Sequence, residues 1–158
     1  MNIEVDLARQ LLRLHDGGRV LREYSVSTGA NGIGEIHGSG CTPRGRHIVR
    51  AKVGGGAAAN TIFVARRPTG EMWTPELAAR YPGRDWIVTR ILWLSGTEIG
   101  RNRLGCVDTF RRYVYIHGTP PTTRLGLPGS KGCVRMDNAD MIELYDLVPA
   151  GTQVEIHE

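Results

Sequence analysis

The 158-residue sequence predicts a mostly-β fold with one or two short helices. Short segments alternate apolar and polar residues, 21 glycines and 8 prolines separate them, and only two segments carry helix start signals. A chain of this length is typical of one domain and buries enough surface to fold without a disulfide or a metal. We therefore expect residues 1–158 to form a single domain.

Strands are predicted by period-two alternation or by runs of β-branched and aromatic residues. The predicted strands are residues 3–7, 10–14, 20–26, 46–53, 61–65, 86–94, 112–116 and 152–156. Residues 15–18 are turn residues, so we expect a hairpin within an antiparallel sheet in the first third of the chain. Residues 28–45 hold six glycines and predict a loop, whereas residues 86–94 predict a central strand.

Two short helices are predicted from their capping signals. Thr74 is the predicted N-cap of the first helix, and Pro75 occupies its first helical position. Asp137 is the predicted N-cap of a second helix over residues 138–147. The Pro-Ala-Gly sequence at residues 149–151 ends that helix.

Composition and charge exclude several function classes. The net charge is +4, but no cluster of lysine and arginine is longer than a pair, so we expect no nucleic-acid partner. The longest uncharged stretch, residues 53–65, is shorter than the about 18 apolar residues of a membrane helix, so we expect no membrane partner. The acidic N-terminal segment lacks the features of an export signal. This predicts a cytoplasmic protein, or a periplasmic one if a leader has been removed.

The spacing of cysteine and histidine predicts neither a disulfide framework nor a metal site. The three cysteines are an odd number and none lies in a CxxC motif, so we expect no metal and no cofactor. We expect Cys41 and Cys106 to be unreactive, with a position facing the cleft as the alternative for Cys41, which lies in a Gly-rich loop. The remaining histidines outside the candidate site are expected on the surface or in loops: His15, His37, His47 and His157. The tryptophans are expected in the core: Trp73, Trp86 and Trp93.

A Cys/His pair is the main candidate for chemistry. Cys133 follows Gly132 in a loop before a helix N-terminus and lies beside Lys131 and Arg135, which predicts a lowered thiol pKa. His117 ends a predicted strand sixteen residues earlier, and the Pro/Gly-rich segment between them lets the chain double back. Such a pair suits nucleophilic catalysis through an acyl-enzyme. The alternative is a small buried cysteine and a structural histidine at a strand end.

The segments at residues 117–119 and 130–135 resemble the active-site signature of the L,D-transpeptidase catalytic domain, the YkuD-like family. The resemblance covers nearly all of the chain. Further matching segments are residues 3–6, 27–29, 42–45, 107–109 and 138–140. The resemblance implies a β-sandwich-like, mostly-β domain, and the missing leader places the chain nearest to short cytosolic L,D-carboxypeptidase-type members.

The resemblance also implies roles for individual residues. Cys133 matches the nucleophile, His117 the general base, and Gly118 the residue whose carbonyl orients the imidazole. The backbone N–H groups of Gly132 and Cys133 are the expected oxyanion donors.

Four further residues are expected to contact the substrate: Tyr115, Ser130, Lys131 and Arg135. Arg135 matches a basic position whose guanidinium suits a substrate carboxylate, with a structural ion pair as the alternative. Lys131 stands where many members have histidine, so a second imidazole is missing here. The expected role of Lys131 is instead to supply positive charge near the thiolate or the substrate.

The expected activity is cleavage of the L,D bond before the terminal D-alanine of a peptidoglycan tetrapeptide stem or muropeptide, as an L,D-carboxypeptidase of muropeptide recycling. The alternative acceptor is an amine of a second stem, which makes the enzyme an L,D-transpeptidase forming 3-3 crosslinks. Both reactions use the same acyl-enzyme, and a carbapenem is expected to acylate its cysteine. A noncatalytic module that binds wall peptide and an unrelated cysteine hydrolase are the two competing hypotheses. The third stem residue and the oligomeric state stay open.

Overall fold

The computed structural model describes all residues from 1 to 158. Strands together with isolated β-bridges account for 42% of them, and helices together with one 3-10 turn account for 12%. The strands are β1 Asn2–Asp6, β2 Leu11–Asp16, β3 Arg19–Ser27, β4 Gly45–Val53, β5 Thr61–Val64, β6 Arg67–Met72, β7 Ile87–Gly96, β8 Tyr115–Gly118, β9 Val134–Met136 and β10 Gln153–His157. The α-helices are α1 Pro75–Arg80 and α2 Asn138–Leu147, and a single 3-10 turn covers Gly105–Val107. The prediction of a mostly-β fold with two short helices is confirmed.

Eight of the ten strands form a closed ring of hydrogen-bonded neighbours. The order is β4-β10-β1-β2-β3-β9-β8-β7, and β7 pairs again with β4. Most pairs are antiparallel, but β1 with β10 and β8 with β9 are parallel. The hairpin of β5 and β6 lies outside the ring and is attached to β7, which therefore pairs with three strands. The central position predicted for residues 86–94 is confirmed.

One hydrophobic core holds the ring together. A cluster of 20 buried residues draws apolar side chains from eight strands and from α2. In β1 the fully buried Ile3 and Val5 alternate with the more exposed Glu4, as the period-two pattern requires. Helix α2 begins at the predicted cap, where Asp137 accepts hydrogen bonds from the backbone N–H groups of Ala139 and Asp140.

Two parts of the strand pattern differ from the prediction. The strand predicted over residues 112–116 starts later, at Tyr115, because the chain turns just before it and Tyr113 has a φ of 57°. It then continues through His117 to Gly118. β6 and β9 are not predicted by alternation, since β6 is exposed along its whole length and β9 has only 3 residues.

His47 is buried, so its expected place on the surface or in a loop is wrong. Its Nδ1 lies 2.9 Å from the carbonyl oxygen of Gly45, and its Nε2 lies 3.0 Å from Oγ1 of Thr109. Burial lowers the pKa of His47 to about 4. The imidazole is therefore a neutral structural group that joins β4 to the loop before β8.

No helix of the structure combines the length and the apolar character that crossing a bilayer requires.

Candidate active site

The parallel pairing of β8 and β9 brings the two candidate catalytic residues to one face of the sheet. Ile116 pairs with Val134, and both side chains belong to the buried core. Successive side chains of an extended chain point to opposite faces, so His117, directly after Ile116, and Cys133, directly before β9, face the other side. The backbone N–H of Tyr115 donates to Sγ of Cys133 at 3.3 Å.

Cys133 opens onto a cavity of about 420 Å³. The aromatic and charged residues of the cavity wall are Phe63, Arg66, Asp85, Tyr113, Tyr115 and Lys131. Sγ also lies 3.5 Å from the carbonyl oxygen of Tyr113, to which a protonated thiol donates. The cysteine thus borders a pocket large enough for a short peptide segment.

The predicted lowering of the Cys133 pKa is wrong. Removal of the thiol from water raises its pKa to about 12, and the nearby Asp85 carboxylate acts in the same direction. The Tyr115 N–H, Arg135 and Arg112 oppose this rise but do not cancel it. The thiol is therefore neutral at physiological pH in the substrate-free protein.

His117 is fully buried and is held in a defined tautomer. Its Nδ1 lies 2.6 Å from the carbonyl oxygen of Gly118, which is an acceptor only, so Nδ1 carries the hydrogen and donates it. Nε2 then carries a lone pair, and this buried atom has no hydrogen-bond partner. Burial lowers the pKa of His117, so the ring is neutral and able to accept a proton at Nε2.

No hydrogen bond joins His117 Nε2 to Cys133 Sγ in this structure. The two groups share an electrostatic environment, because Asp85 and Arg135 influence the pKa of both. Hydrogen bonds between catalytic groups are often long in a substrate-free enzyme and shorten when substrate binds. The arrangement is therefore compatible with proton transfer from the thiol to the imidazole.

Gly118 owes its identity to the residues packed against it. A Cβ atom at this position would lie 2.6 Å from Oδ1 of Asn138, 2.7 Å from Cβ of Thr89 and 2.7 Å from the carbonyl oxygen of Val88. Thr89 has a φ of 78°, which is rare for a β-branched residue, and its hydroxyl donates to Asn138 at 2.7 Å. These groups hold the peptide that orients His117. In the sequence, Gly118 was selected because it follows the candidate histidine and Asn138 because it begins a segment that resembles the family, whereas Thr89 and Val88 were not selected.

The loop before Cys133 is fixed by Ser130 and Thr42. The Ser130 hydroxyl donates to the Cys133 carbonyl at 2.6 Å and accepts from the Gly132 N–H at 3.1 Å. The Thr42 hydroxyl donates to the Gly132 carbonyl at 3.0 Å. Gly132 adopts a φ of 120° that favours glycine.

These bonds change two expectations. The Gly132 N–H is used inside the loop, so it does not serve as a free oxyanion donor, and the Cys133 N–H is the donor that remains of the expected pair. Ser130 is buried and uses its hydroxyl for the loop, so it does not lie on the cavity wall.

Arg135 forms the structural ion pair that was the alternative to substrate binding. Its Nη2 lies 2.6 Å from Oδ1 of Asp85, and its Nη1 donates to the Gly129 carbonyl at 3.0 Å. Two of its donors are thus satisfied within the protein. Tyr115 and Lys131, by contrast, line the cavity.

Arg66 is a cavity residue that no sequence signal selects. Its guanidinium lies over the ring of Trp93, 4.5 Å from the centroid, and donates to Oη of Tyr115 at 3.0 Å. Trp93, expected in the core, is only partly buried and stacks on Phe110 with 3.9 Å between ring centroids. A loop arginine gains such a position only through contacts distant in sequence.

A buried neutral histidine on β8 and a cysteine directly before the neighbouring β9, at the wall of a cavity, define a site of the class that forms acyl-enzymes. The model of the L,D-transpeptidase catalytic domain family, YkuD, matches residues 2–156, and the chain belongs to this family. "Putative L,D-transpeptidase YkuD" of Bacillus licheniformis is 44% identical over 154 residues, which are 98% of this chain and 64% of that protein. The chain thus spans less than two thirds of this relative's length.

Solved structures support the same family. The crystal structure of an L,D-transpeptidase from Xylanimonas cellulosilytica is 25% identical with a TM-score of 0.60, and the match covers 98% of this chain and 59% of that one. An L,D-transpeptidase, LdtMt1, solved in complex with imipenem, shares the fold at 16% identity with a TM-score of 0.55, covering 98% of this chain and 57% of that one.

Proposed function

We propose that the protein forms an acyl-enzyme on Cys133 from a peptidoglycan tetrapeptide stem. The observation that carries this proposal is the unpartnered Nε2 of His117, a buried neutral base beside a cysteine that opens onto a cavity. Membership of the L,D-transpeptidase family supplies the substrate class. The bond cleaved is the L,D bond between the third stem residue and the terminal D-alanine.

Acylation begins from two neutral groups. As Sγ of Cys133 bonds to the peptide carbonyl carbon, its proton passes to Nε2 of His117, and the carbonyl oxygen gains negative charge. The Cys133 N–H stabilises this oxyanion. When the C–N bond breaks, the imidazolium gives its proton to the departing D-alanine amine, leaving a thioester on Cys133 and a neutral His117.

The fate of the thioester distinguishes two activities. Transfer to an amine of a second stem forms a 3-3 crosslink, and the family membership favours this fate. Hydrolysis by water makes the protein an L,D-carboxypeptidase of muropeptide recycling, which is the second candidate. In either case His117 Nε2 takes a proton from the acceptor, and the expelled Cys133 sulfur recovers one.

The direct test is mass spectrometry of the protein incubated with a disaccharide-tetrapeptide, with and without an acceptor tetrapeptide. We expect free D-alanine, together with a crosslinked dimer for the transpeptidase or a tripeptide alone for the carboxypeptidase. Cys133→Ala should abolish all products, whereas the matched variant Cys106→Ala, at an exposed cysteine, should retain them. Product formation by Cys133→Ala would overturn the mechanism.

A carbapenem tests the acyl-enzyme without any peptide. Because a fold relative was solved in complex with imipenem, we expect imipenem to acylate Cys133 and to add the mass of the drug. Peptide mapping should place the adduct on Cys133 and leave Cys41 and Cys106 free. An intact protein without adduct and without turnover would favour a noncatalytic wall-peptide module, and cleavage of ordinary L,L peptides would favour an unrelated cysteine hydrolase.

A further inference from the structure

Arg66 occupies a strained turn at the wall of the cavity. The two residues that connect β5 to β6, Ala65 and Arg66, have φ values of 48° and 62°. Two-residue hairpin loops with this left-handed conformation usually carry asparagine or glycine, which adopt it at low cost. The strain is retained here in a turn that places an arginine on the wall of the cavity that Cys133 also lines.

The guanidinium of Arg66 is held by uncharged groups. It lies over the rings of Trp93 and Tyr113, at 4.5 Å and 4.8 Å from their centroids. Its Nη1 donates to Oη of Tyr115 at 3.0 Å, and the backbone of Tyr115 contacts the sulfur of Cys133. The charge is therefore fixed in position at the wall of the cavity that Cys133 also lines, while most of the N–H groups of Arg66 remain free.

Arg66 makes no ion pair, although ion pairs engage many of the other arginines. Asp85, on the cavity wall, is paired with Arg135, and Lys131 on the same wall is exposed on a flexible stem. Arg66 is thus the positioned and uncompensated cation of the cavity. Its planar fork can bind both oxygens of a carboxylate.

We propose that Arg66 determines substrate specificity by binding a carboxylate of the acyl-donor peptide. This inference rests on the proposed function and transfers to Arg66 the role first expected of Arg135. Two carboxylates of a stem peptide share the required chemistry: the C-terminal carboxylate of the leaving residue, and a side-chain carboxylate on the third residue. In both cases the ion pair anchors the peptide with its scissile carbonyl at Cys133.

A test with small alkylating agents is independent of peptidoglycan. Iodoacetate and iodoacetamide transfer a carboxymethyl or carbamidomethyl group to the same thiolate and release iodide, so the ratio of their rates at Cys133 is insensitive to the thiol pKa. We expect Arg66→Gln to lower this ratio by about tenfold, the effect of losing one charge-assisted contact. Arg66→Lys should restore most of it.

The exposed Cys106 provides a reference in the same molecule, because peptide mapping reports both cysteines. The matched control is Arg50→Gln, since Arg50 stacks on Phe110 at 4.4 Å, on the far side of Trp93 from Arg66. In Arg50→Gln the ratio of the iodoacetate rate to the iodoacetamide rate at Cys133 should equal that of the unmodified protein. An unchanged ratio in Arg66→Gln, with the fold intact by circular dichroism, would overturn the proposal.

Peptide variants identify the carboxylate. The donor tetrapeptide is compared with forms in which either the C-terminal carboxylate or the side-chain carboxylate of a diaminopimelate third residue is an amide. We expect Arg66→Gln to lower kcat/KM by about tenfold or more on the acid, mainly through KM, and to have little effect once the recognised carboxylate is amidated. Equal loss on all three peptides would contradict carboxylate binding by Arg66.

Failure of the proposed function has a separate signature. If the unmodified protein cleaves none of the peptides while its iodoacetate ratio still depends on Arg66, the cavity binds an anion but the stem peptide is the wrong donor. If peptides are cleaved and neither readout depends on Arg66, the function stands and the specificity proposal fails.

Discussion

The candidate nucleophile Cys133 and its candidate base His117 are both uncharged in the substrate-free protein. Burial raises the pKa of the thiol to about 12 and lowers the pKa of His117. A preformed thiolate–imidazolium pair is therefore disfavoured, and proton transfer accompanies attack on the substrate. We therefore expect Cys133 of the substrate-free protein to react slowly with simple alkylating agents.

This electrostatic state predicts the titration of Cys133. The ultraviolet absorbance of the thiolate, taken as the difference between the protein and Cys133→Ala, should show no ionisation of this residue near neutral pH. Ionisation should appear only in strongly alkaline solution, because the folded pKa is about 12. The absorbance difference between the protein and Cys106→Ala reports the titration of an exposed cysteine and serves as the control. A Cys133 transition below about pH 7, near the thiolate range of activated cysteines, would contradict the prediction.

Gly118 provides a second prediction at the residue scale. Gly118→Ala introduces a Cβ that meets Asn138 and the Val88 backbone at 2.6 and 2.7 Å, so the Gly118 peptide must shift. We expect a loss of about 1–3 kcal/mol in the free energy of unfolding, as for overpacked sites, and a larger loss of activity than of stability. The activity falls because the displaced carbonyl no longer orients His117.

The matched control is Gly55→Ala. A Cβ at Gly55 would lie 3.2 Å from Oη of Tyr145, the end of a side chain that can move aside. Denaturant unfolding and D-alanine release measure the two effects. Equal turnover by the two alanine variants would refute the orienting role of Gly118.

Helix α2 connects a local sequence signal to the site. Asp137 caps the helix, and the next residue, Asn138, accepts a hydrogen bond from Thr89. The same Asn138 oxygen occupies the position that a Cβ atom on residue 118 would need. Asp137→Ala removes the acceptor for two backbone N–H groups and should cost about 1 kcal/mol of unfolding free energy. Asp137→Ser, which keeps an acceptor, should recover most of this loss in chemical denaturation. Equal stability of the alanine and serine variants would show that the cap contributes nothing.

The elements that local patterns specify were predicted well. Alternation located β1 to β4, and the Thr74 and Asp137 caps located both helices. β6 was missed because its residues are polar and exposed, and it forms by pairing with β5 across a strained turn. A strand of that kind depends on its partner, which period-two alternation does not reveal.

Pairing between distant segments also explains what could be predicted of the site. Cys133, His117 and Gly118 lie in short motifs, so the sequence could nominate them. Asp85, which neutralises Arg135, is 50 residues away from it in the chain. Such contacts are set by the closed strand order, in which β8 and β9 become parallel neighbours. The lowered thiol pKa was predicted wrongly for the same reason, since burial outweighs the charge of residues adjacent in sequence.

For the whole molecule, buried histidines make stability depend on pH. His47 has a folded pKa of about 4 and an unfolded value near 6.5, so the unfolded chain binds more protons between these values. Stability is therefore complete above about pH 6.5 and falls as the pH is lowered toward 4. The difference between the two pKa values corresponds to about 3 kcal/mol of unfolding free energy. The lowered pKa of His117 adds a loss in the same direction.

The variant His47→Gln separates the contribution of His47 to the pH dependence of stability from the contributions of the other titrating groups. Glutamine keeps polar atoms near Gly45 and Thr109 but does not titrate, so its unfolding free energy should fall less steeply between about pH 6.5 and pH 4. The two unfolding curves should converge as the pH falls, even if the substitution costs stability at pH 7. His157 titrates in the opposite sense, because its partners Glu158 and Glu4 raise its pKa and its contribution is lost as the pH rises. Parallel curves for the two proteins across this range would mean that His47 does not drive acid unfolding of the closed sheet.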